Sequence, residues 1–163
     1  MKALLLIDIQ IDFLPGGALA VADGDAVVAV ANSLLDEYEL VVATQDWHPA
    51  DHRSFASQHD GHEIGEVIDL EGLDQVLWPD HCVERSAGAA FASELRVERI
   101  DHVVRKGTDR NVDSYSGFFD NARRKATGLH ELLAGLEVDA VDIVGLATDY
   151  CVQFSALDVV DLG

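Results

Sequence analysis

Lysine is scarce in this chain. Lys2, Lys106 and Lys125 are the only lysines among 11 basic residues, against 30 acidic ones, and the formal net charge is −19 over 163 residues. A surface so negative repels phosphate backbones and anionic headgroups, which argues against nucleic-acid or membrane-surface partners. Aspartate supplies 20 of the 30 acids. Solubility accounts for this, and so would a salt-rich host in which screening makes dense negative charge tolerable. Cysteine is scarce too. Cys82 and Cys151 cannot form a disulfide framework for a chain of this size, which suits a reducing compartment. Long apolar runs are missing: no segment reaches the ~18 apolar residues of a membrane span. The opening MKALLLIDIQIDF meets two aspartates too early to read as a signal peptide. These absences describe a soluble, cytoplasmic protein. Its 48% hydrophobic content suffices for one core, hence one domain over residues 1–163.

Four apolar runs read as buried strands: Ala3–Ile9, Leu40–Thr44, His102–Arg105 and Ala140–Leu146. They are rich in Val, Ile and Leu with little alternation, the pattern of parallel strands covered on both faces. Helical spacing of apolar residues marks Asp25–Glu37 and Asn121–Leu136, and Thr148–Asp161 follows the last strand directly. Strands alternating with helices predict an α/β fold, a doubly wound and mainly parallel sheet with helices on both faces. The segment Pro49–Ala90 reads as long and irregular, and such a stretch in a compact domain is usually functional. The sequence stops at Gly163, where a further strand and helix would be expected to cover the sheet.

Ligands of open parallel sheets bind beyond the carboxyl ends of the strands. Those ends carry Asp8, Asp46, Lys106 and Cys151, one reactive side chain per strand. Each alone has an ordinary explanation, and a free cysteine is usually a small buried hydrophobe. All four at strand ends is a coincidence that those explanations do not predict. Cys151 falls in the first turn of the helix after GLATDY, with Thr148 or Asp149 placed to cap it. The helix dipole and Lys106 are expected to lower its pKa, and Asp8 can accept its proton, a set suited to acyl transfer. Cys82 has no such partners and reads as structural. In TQDWHPADHRSFASQHDGH, Asp46 and His48 share one face of an extended strand end, while His52 and the later His81 add imidazoles. A carboxylate with neutral imidazoles suits Zn²⁺ or Fe²⁺ better than Ca²⁺ or Mg²⁺. His59, His62, His102 and His130 read as ordinary surface residues.

Five segments carry a resemblance: LLLIDIQIDFLPGGALAV, VVATQDWHPADHRSFAS, LWPDHCV, VRKGTDRNVDSYSGF and VGLATDYCVQFSALD. Together they resemble the nicotinamidase/pyrazinamidase group of the isochorismatase-like cysteine hydrolases, over nearly the whole chain. The resemblance implies that Asp8, Lys106 and Cys151 form a catalytic triad, and that Asp46, His48 and His81 bind one divalent metal ion, Zn²⁺ or Fe²⁺, with Mn²⁺ also compatible. His52 would be a further ligand or stand just outside the set. Phe13, Trp78 and Tyr115 would line the pyridine pocket. A cis Leu146–Ala147 peptide would aim the Ala147 and Cys151 amides into an oxyanion hole. Two positions depart from the pattern: Ile11 stands where Asn is common, and Arg85 where Gly usually follows the HCV segment.

The implied activity is hydrolysis of nicotinamide, and of pyrazinamide as well, through a cysteine thioester, a step in NAD salvage. The expected partner is the small-molecule substrate, with no nucleic acid and no membrane; a homo-oligomer is left open. A metal-free relative acting on isochorismate or N-carbamoyl compounds would leave Asp46, His48 and His81 unexplained. A non-catalytic ligand-binding relative would be marked by loss of Asp8, Lys106 or Cys151, and none is lost.

Overall fold

A computed structural model describes residues 1–163. Its strands are β1 (Lys2–Ile7), β2 (Leu40–Asp46), β3 (Val67–Leu70), β4 (Leu73–Val76), β5 (His102–Lys106) and β6 (Ala140–Gly145). Its helices are α1 (Ala26–Leu34), α2 (Leu129–Gly135) and α3 (Gln153–Leu162). β5, β2, β1 and β6 form one sheet in that order, and every pairing within it is parallel. The architecture is the α/β sheet that the alternating pattern predicts.

The unbroken apolar run of β1 is explained by its central place. Leu4 and Leu6 point to one face and pack with Val28, Ala31 and Leu35 around α1. Ala3, Leu5 and Ile7 point to the other and meet Phe118, Leu129 and Leu133 around α2. A strand covered on both faces has no position where a polar side chain would reach water.

Three segments differ from expectation, each for a local reason. The helix predicted over Asn121–Leu136 begins only at Leu129, after Gly128 at φ +93°. Upstream, the Asp120 carboxylate accepts the amides of Arg124 and Lys125, and such side-chain bonds compete with a helical ladder. The Pro49–Ala90 stretch contains the antiparallel hairpin β3–β4. Its turn residues Glu71 and Gly72 both adopt positive φ, as tight hairpin connections require. After β6 the chain makes a wide turn over Thr148–Val152, with the Val152 amide bonded to the Ala147 carbonyl, before α3 begins. Neither Thr148 nor Asp149 caps it: Ala147 occupies the N-cap and no side chain bonds there. The Leu146–Ala147 peptide bond is cis. No helix is long and apolar enough to cross a membrane.

Candidate active site

The sheet order places four strand ends side by side, so Lys106, Asp46, Asp8 and Cys151 form one buried row across its carboxyl edge. The Lys106 ammonium is its hub. It lies 2.9 Å from Asp8 Oδ2 and 2.9 Å from Asp46 Oδ1, donates to the Ser114 carbonyl at 2.8 Å, and sits 3.5 Å from Cys151 Sγ. Thr44 orients the Asp8 carboxylate: its hydroxyl donates to Asp8 Oδ1 at 2.7 Å and accepts the Asp8 amide at 3.2 Å.

Burial dominates the proton balance. It pushes the Cys151 thiol well above its ordinary value, against the pull of Lys106, and the carboxylates of Asp8 and Asp46 add to the rise. The depressed thiol pKa expected from the helix dipole and Lys106 is therefore not what the packed site produces. Desolvation of a buried thiolate beside two carboxylates outweighs one cation. Asp8 is also raised, by burial first and by Asp46, with Lys106 and Thr44 opposing. Lys106 stays charged despite its burial, held well above the usual ammonium range by Asp46 and Asp8. The resting site thus keeps its proton on sulfur, next to a carboxylate that can take it.

Asp46 belongs to a second cluster as well. Its Oδ2 lies 3.0 Å from His48 Nε2 and 3.5 Å from His81 Nε2, and one nitrogen or oxygen of each of the three residues falls within 4.8 Å of the other two. His48 Nδ1 is 2.7 Å from the Gly107 carbonyl and His81 Nδ1 is 2.8 Å from the Pro79 carbonyl. Each Nδ1–H donates to its carbonyl, which turns Nε2 toward Asp46, the outer-sphere arrangement typical of metal-binding histidines. Burial works against a charged His48, but Asp46 outweighs it and raises the imidazole to about 9. Two imidazole nitrogens and a carboxylate oxygen, all buried, converge on one point. The donor set therefore fits one divalent cation.

His52 stands apart from these three. It shares a second triplet with His48 and Asp113, its ring centroid 4.4 Å from that of His48. The Ser54 amide donates to His52 Nδ1 at 3.2 Å, so the neutral ring carries its proton on Nε2, a buried atom without a hydrogen-bond partner. Burial, then His48, lowers this imidazole to about 4. With Nδ1 taken up by Ser54, the ring stands outside the set of Asp46, His48 and His81.

A cavity of about 140 Å³ opens over Cys151. Phe13, Trp78 and Tyr115 line it, as do Asp46, His81, Ala147 and Cys151. The aromatic side is continuous: the Tyr150 ring lies 5.0 Å from Trp78 and 5.2 Å from Tyr115, both edge-on. The four histidines read as surface residues all lie outside the cluster, three exposed and His59 partly buried. Cys82 is fully buried against Phe13, Ala89 and Leu146. Arg85, standing where a glycine was expected, keeps the left-handed backbone of that position at φ +64°.

Sequence reasoning missed three residues. Asp113 joins His48 in the second triplet and lines the cavity. Tyr150 completes the aromatic wall, although ATDYCV places it next to Cys151. Gln10 is fully buried and grips the main chain of Asp46 from both sides: Oε1 accepts the Asp46 amide and Nε2 donates to its carbonyl, each at 2.8 Å. All three lie in segments that carry the resemblance, but only the fold gives them partners.

Residues 2–163 match the isochorismatase domain family. The Escherichia coli nicotinamidase is 52% identical over 99% of this chain and 78% of its own length. Among solved structures, a nicotinamidase/pyrazinamidase of Acinetobacter baumanii superimposes with a TM-score of 0.97 at 43% identity, covering 99% of this chain and 78% of that one. The pyrazinamidase of Pyrococcus horikoshii in complex with zinc gives 0.79 at 34% identity, covering 99% and 79%. A family match over almost every residue, on a sheet whose strand ends converge in this way, leaves one assignment: the chain belongs to the isochorismatase family.

Proposed function

We propose that this protein is a metal-dependent nicotinamidase, an amidohydrolase that converts nicotinamide to nicotinate and ammonia and accepts pyrazinamide as well. The observation that carries this reading is the sharing of Asp46 between the two clusters. One carboxylate oxygen faces Lys106 of the catalytic row and the other faces His48 and His81. A metal-free hydrolase of the same fold has no use for the second half of that arrangement. The relatives' names, and the zinc complex among them, point the same way.

In the proposed mechanism the substrate ring enters the cavity between Phe13, Trp78 and Tyr115, with its amide carbon over Cys151. Asp8 accepts the thiol proton and the sulfur attacks the carbonyl carbon. Lys106 holds Asp8 in place and offsets the negative charge that the row gathers. The Ala147 and Cys151 amides stabilise the oxyanion. Asp8 then hands its proton to the departing ammonia, leaving a thioester. It next takes a proton from the water that attacks the thioester carbon. As the carbon–sulfur bond breaks and nicotinate leaves, Asp8 returns that proton to the Cys151 sulfur. Asp46, His48 and His81 would hold a divalent ion, and that ion would supply a Lewis-acid anchor for the pyridine nitrogen, orienting the ring rather than activating the carbonyl.

The reading is tested by ammonia release from nicotinamide before and after chelation, with metal analysis of the purified protein. Activity should fall on chelation and return with Zn²⁺, Fe²⁺ or Mn²⁺. Undiminished turnover by metal-free protein would overturn the metal-dependent part.

The triad should behave as a unit. Asp8→Asn removes the proton carrier, and Lys106→Ala removes the cation that holds it. Each should lower kcat by about 10²–10⁴, the range of acid–base catalysis. The double variant should lose far less than the product of the two. Lys106→Ala should also lower the melting temperature, because Asp8 and Asp46 would be left buried without a counter-charge. A kcat unchanged in Lys106→Ala would reduce that residue to a structural role.

A further inference from the structure

We infer that Asp12 is a positioning residue: its carboxylate sets His81 against His48 and, through the same group, shapes the wall of the substrate cavity. The inference rests on the reading of His48 and His81 as metal ligands. Asp12 does not line the cavity, so it acts only through what it holds.

One oxygen of the carboxylate faces the loop that carries His81. Asp12 Oδ2 accepts the amide of Cys82 at 2.7 Å. The carbonyl of the same Cys82 accepts the backbone amide of His48 at 2.9 Å. Cys82 is therefore clamped from both sides, between Asp12 and the backbone of the other histidine, with its neighbour His81 projecting into the site. Cys82 also has φ +45°, a left-handed conformation that a residue with a Cβ adopts only when its surroundings impose it. A carboxylate accepting its amide is such an imposition, since hydrogen bonds to an ionised acceptor are about twice as strong as neutral ones.

The other oxygen faces the cavity wall. Asp12 Oδ1 accepts the Ala18 amide at 3.3 Å, and the Asp12 carbonyl accepts that of Leu19 at 2.9 Å. Leu19, Ala20 and Val21 line the cavity. Phe13, next in sequence, packs its ring 5.7 Å from the His81 imidazole. One side chain thus ties the apolar wall to the histidine loop.

Gly88 supplies an independent sign that this place is kept for the carboxylate. A Cβ built on Gly88 would fall 2.1 Å from Asp12 Oδ2, and the Asp12 amide donates to the Gly88 carbonyl at 3.0 Å. The φ of Gly88 is not positive, so the lack of a side chain there serves space rather than backbone conformation.

The test is Zn²⁺ affinity, measured against a chromophoric chelator without substrate, together with KM and kcat for nicotinamide. Asp12→Ala should weaken Zn²⁺ by about 10–100-fold, the usual cost of losing a group that orients a ligand. It should raise KM more than it lowers kcat, because the catalytic row does not touch Asp12. Asp12→Asn keeps an oxygen acceptor for the Cys82 amide and should recover most of the affinity. Gly88→Ala should reproduce the loss in the parent protein by displacing the carboxylate, yet add nothing in the Asp12→Ala background. That non-additivity is a signature that general destabilisation would not give. His81→Ala is run alongside. If His81→Ala loses zinc while Asp12→Ala keeps it, or if the Gly88→Ala and Asp12→Ala effects simply add, the positioning role is overturned. If His81→Ala itself keeps zinc, the ligand assignment beneath the inference fails instead.

Discussion

Cys151→Ala should abolish nicotinamide hydrolysis while leaving nicotinamide binding close to that of the parent protein. The separation follows from where each task is placed. In the proposed mechanism the bond-forming atom is the sulfur alone, whereas the aromatic wall of Phe13, Trp78, Tyr115 and Tyr150, with the Asp46–His48–His81 cluster beside it, is built without the thiol. Removing the sulfur leaves Lys106 paired with both carboxylates, so the row has no reason to collapse. The measurements are ammonia release and nicotinamide affinity by calorimetry. Turnover retained in Cys151→Ala would refute the nucleophile. Cys82→Ser is the matched control. Cys82 contributes its backbone to the histidine loop and its side chain only to packing, and burial drives its thiol far above the usual range. A loss of more than a few-fold in kcat/KM there would mean that the wrong cysteine has been chosen.

The second large effect concerns the metal. His81→Ala should lose most of the bound ion and most of the nicotinamide affinity, while His52→Ala should keep most of the ion. Both imidazoles are buried and both lie close to His48, so proximity does not separate them. Proton placement does. His81 gives its Nδ1 proton to the Pro79 carbonyl and presents a lone pair beside Asp46, whereas His52 receives the Ser54 amide at Nδ1 and presents a proton. A divalent cation requires the lone pair. Metal content by mass spectrometry, with nicotinamide affinity for the same two variants, decides the matter. Equal metal retention would show that the ligands are not Asp46, His48 and His81, and the triplet of His48, His52 and Asp113 would then be the one to test.

The four strands of the parallel sheet could be read from the sequence because each is built on an apolar run bounded by polar residues. The helix of Asn121–Leu136 was half misread because Leu129, Leu132 and Leu133 share a period with a flanking stretch that Asp120 ties into turns. Hairpin β3–β4 escaped notice because its turn is Glu71–Gly72, without the Asn or Asp that usually marks such a connection. Asp113 went unseen for a different reason. A single aspartate among 20 carries no signal until the chain folds it back beside His48.

By itself the sequence determined which residue types stand at the strand ends, and therefore Asp8, Asp46, Lys106 and Cys151 as one set. That much is local: an apolar run predicts a strand, and parallel strands present their last residues on one edge. Only the tertiary structure decided how those residues share protons. The order β5, β2, β1, β6 puts Lys106 between two carboxylates and buries the whole row, and burial raises the thiol that the sequence suggested would be depressed. It also decided which histidines face Asp46, since that depends on the carbonyls of Gly107 and Pro79 and the amide of Ser54. Desolvation and hydrogen bonding act over a few ångströms between residues dozens of positions apart, a distance that periodicity and spacing do not encode.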